Sequence, residues 1–150
     1  MKIHILLSLS FVLITISGCS KENDTSADEN HNKFPVPHWQ ADTSGLLAYS
    51  MTTVIAISDS LHQTVSANDK VAAFIGEECR GVGVYIVRGN AAPVFYIMIK
   101  GNADESAQIK LKYYNSQSSY MYITGDFINF EVDYNYGTAD LPAKPSFTPM

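Results

Sequence analysis

Apolar and polar residues alternate with a period of two along much of the chain, which is the pattern of a β-strand that buries one face. The longest run, residues 47–58, places Leu47, Met51 and Ile55 on one face. No segment after residue 18 shows a convincing helical period. The pattern predicts seven to eight strands, among them residues 47–58, 71–75, 79–87, 94–100, 107–114, 120–123 and 127–134.

Short alternating strands in a chain of 150 residues favour one all-β domain. Two packed sheets bury alternating faces most directly, so the predicted fold is an antiparallel two-sheet β-sandwich, Ig-like or jelly-roll-like. An open barrel is the alternative arrangement of the same strands.

The hairpin at residues 69–87 is predicted to organise the fold. Gly76 followed by Glu77 suits a type II′ turn, because glycine adopts a positive φ without strain. That turn sets the register of the two strands. The predicted pairs are Ile75 with Glu78, Phe74 with Cys79, and Ala73 with Arg80.

A second hairpin is predicted from residues 107–114 and 120–123, joined by a five-residue loop at 115–119. This register pairs Tyr114 with Tyr120 and Lys112 with Tyr122, and it makes an outer face of aromatic and basic residues. Aromatic faces beside hydrogen-bonding groups suit sugar rings or a protein partner. The alternative is that a second sheet, a loop or the C-terminal tail covers these tyrosines. The candidate ligand-binding residues on this face are Tyr114, Tyr120, Tyr122, Lys110 and Lys112.

The ends of the domain are predicted from composition. Residues 19–33 are polar and suit a flexible tether, whereas residues 34–142 form the sandwich and 143–150 an extended, weakly ordered C-terminal tail. Trp39 follows two prolines that stiffen the start of the domain. Trp39 is either a plug over one end of the core or a sixth ligand-binding candidate, a stacking surface for a sugar.

Composition narrows the class of partner. Hydrophobic residues make up 46% of the chain and charged residues 17%, as in globular proteins rather than disordered ones. The net charge is −5, and no cluster of lysine and arginine is present in the sequence. Because nucleic-acid binding needs such a cluster, we expect no nucleic-acid partner.

Residues 1–18 have the pattern of a signal peptide, with Lys2 before a short apolar stretch. Ile16-Ser-Gly-Cys19 resembles a bacterial lipobox, which implies that Cys19 becomes the lipidated first residue of the mature protein. The polar segment after Cys19 resembles the surface-export signals of Bacteroidetes-type lipoproteins. These resemblances imply a membrane anchor at Cys19 and a bacterial outer-membrane location facing the exterior. One alternative is that residues 1–18 are an ordinary secretory signal and Cys19 is incidental. The other is that the polar segment after Cys19 is a solvated linker without an export signal.

Asp69-Lys-Val-Ala-Ala-Phe74 and Glu78-Cys-Arg-Gly-Val82 resemble a small β-sandwich module of secreted and surface proteins in the same bacterial group. The resemblance extends over residues 39–142. It supports the fold and the location, and it implies no settled ligand or activity.

Catalytic chemistry has no clear signature in the sequence. Cys79 is the only cysteine besides Cys19, and we interpret it as a buried, inert thiol. Arg80 lies two residues from Glu78 on one face, which predicts a structural ion pair, with a clamp for a ligand carboxylate as the alternative. We expect no catalytic residues, no metal site and no cofactor.

These observations favour a non-enzymatic surface lipoprotein whose sandwich binds a glycan or an envelope protein. A structural subunit of an envelope assembly is the alternative. A small hydrolase is a remote third hypothesis, since it requires a cleft with converging carboxylates or a histidine-supported nucleophile.

Overall fold

The computed structural model describes residues 32–61, 64–104 and 106–150. The predicted signal peptide, Cys19 and the tether up to residue 31 lie outside the described residues.

Within the described residues the chain forms ten β-strands and one short 3₁₀ helix, Asp59–Leu61. Most strands are rich in β-branched and aromatic residues, which fit a pleated surface. The strands are β1 (Tyr49–Ile55), β2 (Lys70–Ile75), β3 (Glu78–Val82), β4 (Val84–Arg88), β5 (Ala91–Gly101), β6 (Gln108–Asn115), β7 (Tyr120–Thr124), β8 (Ile128–Asn129), β9 (Asn135–Tyr136) and β10 (Phe147–Pro149).

The strands form two sheets, which confirms the predicted β-sandwich class. One sheet has the order β4-β5-β1-β9, and the other has the order β10-β7-β6-β2-β3, with β8 added beside β6. The sheets do not close into a barrel. Most pairs are antiparallel, but β9 runs parallel to β1. The prediction of an antiparallel sandwich is therefore correct except at this short edge strand.

The core lies between the sheets, and the alternating residues of β1, β2, β5 and β6 supply most of it. Met51, Ile97, Ile99 and Leu111 are fully buried there. The period of two thus places these side chains on the inner faces, as the sequence predicts.

The first hairpin has the predicted turn, with a positive φ of 58° at Gly76. Ile75 pairs with Glu78 and Phe74 with Cys79 as predicted. A β-bulge then pairs Ala73 with Gly81 instead of Arg80, so the third predicted pair is wrong. The predicted strand 79–87 is divided at residue 83, where β3 ends in one sheet and β4 begins in the other.

The second hairpin differs from the predicted register by one residue. Asn115 belongs to β6 and pairs with Tyr120, so that Tyr113 pairs with Tyr122 and Tyr114 with Met121. The cause is the side chain of Asn115, whose Oδ1 accepts the backbone N–H groups of residues 117 and 118 and closes a shorter loop. A slip of one residue moves every side chain of β7 to the other face.

The C-terminal residues are part of the sandwich, and the prediction of a weakly ordered tail at 143–150 is wrong. Phe147 to Pro149 form β10, which extends the six-stranded sheet beside β7. The Phe147 side chain is buried, and its ring centroid lies 5.8 Å from that of Tyr113. Burial of this aromatic ring in the core stabilises the strand.

Residues 33–43, the leading segment, cross from one sheet to the other. Lys33 forms an isolated bridge with Tyr120 at the β7 end of the six-stranded sheet. Trp39 then packs edge-on against Phe74 of β2, with ring centroids 5.7 Å apart. The leading segment therefore crosses the outer face of the six-stranded sheet on its way to β1.

Candidate functional site

Tyr114, Tyr120 and Tyr122 do not form the exposed outer face that the sequence predicts. Tyr122 points into the core, where it is 3% exposed, and Tyr120 lies on the same side of β7. Tyr114 is on the outer face, which the leading segment crosses, and it is only 2% exposed. The prediction that these three tyrosines form one ligand-binding strip is therefore wrong, because the hairpin register differs by one residue.

Lys110 and Lys112 do lie on the outer face, but they make contacts within the protein. The Lys110 ammonium donates to the carbonyl oxygens of Thr124 and Gly125, at 2.9 and 2.8 Å, and it lies 3.8 Å from the Phe127 ring centroid. The Lys112 ammonium lies 4.4 Å from the Phe74 ring centroid and 3.8 Å from Glu77. These cation–π and hydrogen-bond contacts indicate structural roles.

Two adjoining depressions run along the leading segment, and we call them together the trough. The larger has a volume of about 600 Å³ and the smaller about 390 Å³. They adjoin because both are lined by Gln40 and Val82. The larger is otherwise lined by Ala41, Thr43, Val84, Tyr96 and Met98, and the smaller by Val36, Pro37, His38, Trp39 and Lys70.

The trough lies where the two sheets meet. β3 supplies Val82 from the six-stranded sheet, whereas β4 and β5 supply Val84 and Met98 from the other sheet. Val84 is 59% exposed and Met98 is 47% exposed, although both are apolar. Clustered apolar side chains that face solvent indicate a binding surface more often than isolated ones do.

Trp39 is the one candidate ligand-binding residue from the sequence that lines the trough. Sequence reasoning missed Tyr96 and Met98, which lie on the outer face of β5. A signal was present in residues 94–100, where both faces of the strand are apolar. A half-buried strand normally alternates with polar residues, so an apolar outer face indicates that something covers it.

Arg80 and Glu78 form an ion pair, as their spacing predicts. The Arg80 Nη2 lies 3.1 Å from Glu78 Oε2, and Nη1 donates to the Lys100 carbonyl oxygen at 3.4 Å. The Arg80 side chain is 9% exposed, whereas that of Glu78 is 55% exposed. The arginine thus links the end of β5 to β3, which is a structural position.

Cys79 is half-buried, and its thiol donates a weak hydrogen bond to the Gly81 carbonyl oxygen at 3.7 Å. Burial raises the pKa of the Cys79 thiol above its usual value. Since the thiolate is the nucleophilic form, this environment disfavours reactivity at neutral pH.

Asp69, which begins the Asp69-Lys-Val-Ala-Ala-Phe74 motif, has a buried carboxylate surrounded by hydrogen-bond donors. Its Oδ1 accepts from the backbone N–H of Ser116 at 2.9 Å, and its Oδ2 accepts from the backbone N–H of Ser66 at 3.0 Å. The Tyr113 hydroxyl donates to Oδ2 at 2.8 Å. Asp69 therefore joins the segment before β2 to the loop between β6 and β7, and its role is structural.

Among residues 32–61, 64–104 and 106–150, no three side chains of His, Cys, Asp and Glu are grouped as metal ligands would be. In the same residues no helix has the length and hydrophobicity needed to cross a bilayer. No protein-family model, curated protein or solved structure matches the chain. The trough is thus the candidate site that the geometry itself supplies.

Proposed function

We propose that this protein is a non-catalytic binding module that a lipid at Cys19 anchors to the bacterial outer membrane, facing the cell exterior. The anchor and the location rest on the lipobox-like sequence ending at Cys19. The ligand is a glycan or a protein outside the cell, and the trough receives it.

The trough is the single observation that carries the proposal. Its larger depression, about 600 Å³, falls in the range of roughly 300–1,000 Å³ that is usual for ligand sites. Its lining is mostly apolar with a few polar groups, which is the common composition of such sites. Trp39 and Tyr96 add aromatic surface at either side of Gln40 and Val82.

Binding is tested with the purified full chain against a glycan array and against extracted envelope proteins. Met98→Glu introduces a charge into the larger depression and is expected to abolish binding. Leu141→Glu is the matched control, because Leu141 is 79% exposed and does not line the trough. Equal binding by wild type and Met98→Glu, or no binding by either, contradicts the proposal.

The anchor is tested separately by labelling cells with palmitate. The wild-type chain is expected to incorporate the label, and Cys19→Ala is expected to remain unlabelled. Several acyl chains are needed for stable anchoring, because each buried CH₂ contributes only about 0.8 kcal/mol. Protease treatment of intact cells then distinguishes a surface location from an internal one. An unlabelled wild-type chain contradicts the anchor.

A structural subunit of an envelope assembly is the second candidate, and the edge strand β4 favours it. β4 ends the four-stranded sheet, so one of its edges has no partner strand in the described part of the chain. Ile86 and Val87 on this strand are 39% and 65% exposed. Exposed apolar edge strands can pair with another chain. This candidate would be supported instead if a partner co-purifies with wild type and with Met98→Glu but not with Ile86→Lys.

A further inference from the structure

The ligand class of the trough follows from its chemistry. We propose that the trough binds an extended polypeptide segment whose apolar side chains are flanked by carboxylates. This inference rests on the proposed binding function and specifies its ligand.

The floor of the larger depression favours a peptide over a sugar. Val82, Val84 and Met98 are aliphatic, and the polar side-chain groups that line this depression are those of Gln40 and Thr43 and the hydroxyl of Tyr96. A sugar presents hydroxyl groups around its ring, and each buried hydroxyl needs a hydrogen-bond partner. Apolar peptide side chains need none, and they replace water on the exposed surfaces of Val84 and Met98.

The backbone of the leading segment offers the hydrogen bonds that an extended peptide requires. The structure shows no hydrogen bond within the described chain for the backbone groups of Gln40, Ala41 and Thr43, although these residues line the depression. Although residues 40–43 belong to no strand, main-chain N–H and C=O groups beside an apolar floor can bond the main chain of an extended ligand, as an exposed sheet edge does. Main-chain bonds then provide affinity, and the floor selects alternate side chains.

The charges near the trough favour carboxylates on the ligand. Lys70 lines the smaller depression, and Lys100 lies one same-face position beyond Met98 on β5. Neither lysine makes an ion pair with the described residues, even though the whole chain has a net charge of −5. Asp42, between Ala41 and Thr43, keeps its negative charge, but its carboxylate already accepts from the backbone N–H and the hydroxyl of Ser44. Positive groups near an apolar site complement an acidic partner and steer its approach.

The inference is tested by selecting short random peptides, displayed on phage, against the immobilised full chain. Selected peptides are expected to combine large apolar residues with Asp or Glu. A synthetic copy of the most enriched peptide is then titrated, and the fluorescence of Trp39 reports binding, because Trp39 is the sole tryptophan and lines the smaller depression.

The variants separate the apolar and the charged contributions. Met98→Glu is expected to weaken the peptide at least about tenfold, since it puts a carboxylate on the apolar floor against an acidic ligand. Lys70→Glu together with Lys100→Glu is expected to weaken it several-fold at low salt, with a smaller effect at high salt. Lys144→Glu, an exposed lysine that does not line the trough, is the matched control and is expected to bind as wild type does.

Selected peptides without acidic residues overturn the inference, and so do acidic peptides that bind the chain carrying both Lys70→Glu and Lys100→Glu as well as they bind wild type. If no peptide binds but an array glycan binds and Met98→Glu removes it, the inference fails while the proposed binding function stands. If neither peptide, glycan nor envelope protein binds the wild-type chain, both proposals fail.

Discussion

The rings of Tyr113 and Tyr122 stack across β6 and β7, with centroids 5.7 Å apart and planes inclined by 24°. Tyr113 is fully buried and Tyr122 nearly so, and they lie in the core between the two sheets. This contact exists only because Asn115 pairs with Tyr120. As a result, Tyr122 is part of the core, although the sequence pattern predicts it to be a ligand contact on the surface.

Tyr122→Ala is expected to destabilise the fold by about 3–5 kcal/mol, because it removes a buried aromatic side chain and leaves a cavity beside Tyr113. Urea unfolding followed by Trp39 fluorescence measures this change. Tyr49→Ala is the control, since Tyr49 is 43% exposed, and it is expected to change stability by less than about 1 kcal/mol. Equal stability of the two variants would contradict the observed register.

Asp69→Asn is expected to destabilise the protein although it preserves the shape of the side chain. Both carboxylate oxygens of Asp69 accept a backbone N–H, one from Ser116 and one from Ser66. Whichever way the amide is turned, its NH₂ group faces one of these N–H donors. An unsatisfied buried donor costs about 1–3 kcal/mol.

Thermal unfolding of Asp69→Asn at neutral pH measures the loss, and Asp126→Asn provides the control. Asp126 is exposed, and the contact shown for its carboxylate is with the hydroxyl of Ser146 at 3.2 Å. Because a hydroxyl can donate or accept, the Asp126 amide retains a partner. An Asp69→Asn variant as stable as this control would show that the carboxylate is dispensable.

Stability is expected to fall at high pH through Tyr113. Burial raises the pKa of Tyr113 above its ordinary value of 10.0, and Asp69 adds to the rise. Above that ordinary value the unfolded chain loses the proton while the folded chain keeps it, so rising pH favours unfolding. The slope from this one group is about −1.4 kcal/mol per pH unit until the folded-state pKa is reached.

The comparison with Tyr113→Phe isolates this effect, because the other tyrosines are present in both chains. The variant is expected to be less stable near neutral pH, since Asp69 and Asn115 lose a hydrogen-bond partner. Its stability should then fall less steeply than that of wild type above about pH 10. Parallel stability curves in this range would contradict the assignment.

Gly81→Ala is expected to cost about 1–3 kcal/mol, because the added methyl group is directed at the backbone carbonyl of Met98, which cannot rotate away. Gly125→Ala is the matched control, since its methyl group would meet only the Ser146 hydroxyl at 3.6 Å. Chemical denaturation of both variants measures the difference. A tolerated alanine at position 81 would indicate that β3 and β5 lie farther apart than the structure shows.

The sequence alone was sufficient for the all-β class, the two-sheet sandwich and the turn at Gly76, whereas the predicted strand 127–134 is a strand only at Ile128–Asn129. These features depend on local information, because the period of two and the positive φ of a turn glycine are properties of neighbouring residues. The Glu78–Arg80 ion pair was also predictable from local information, since residues two apart on a strand share a face.

The tertiary structure decided the face of Tyr122, the position of residues 147–149 and the existence of the trough. The face depends on whether Asn115 ends the strand or begins the loop, and its buried amide contacts settle that choice. Phe147 has no local signal of its own, because its strand forms only where β7 offers a free edge. The trough joins residues from the leading segment and from both sheets, and no periodicity brings such distant positions together.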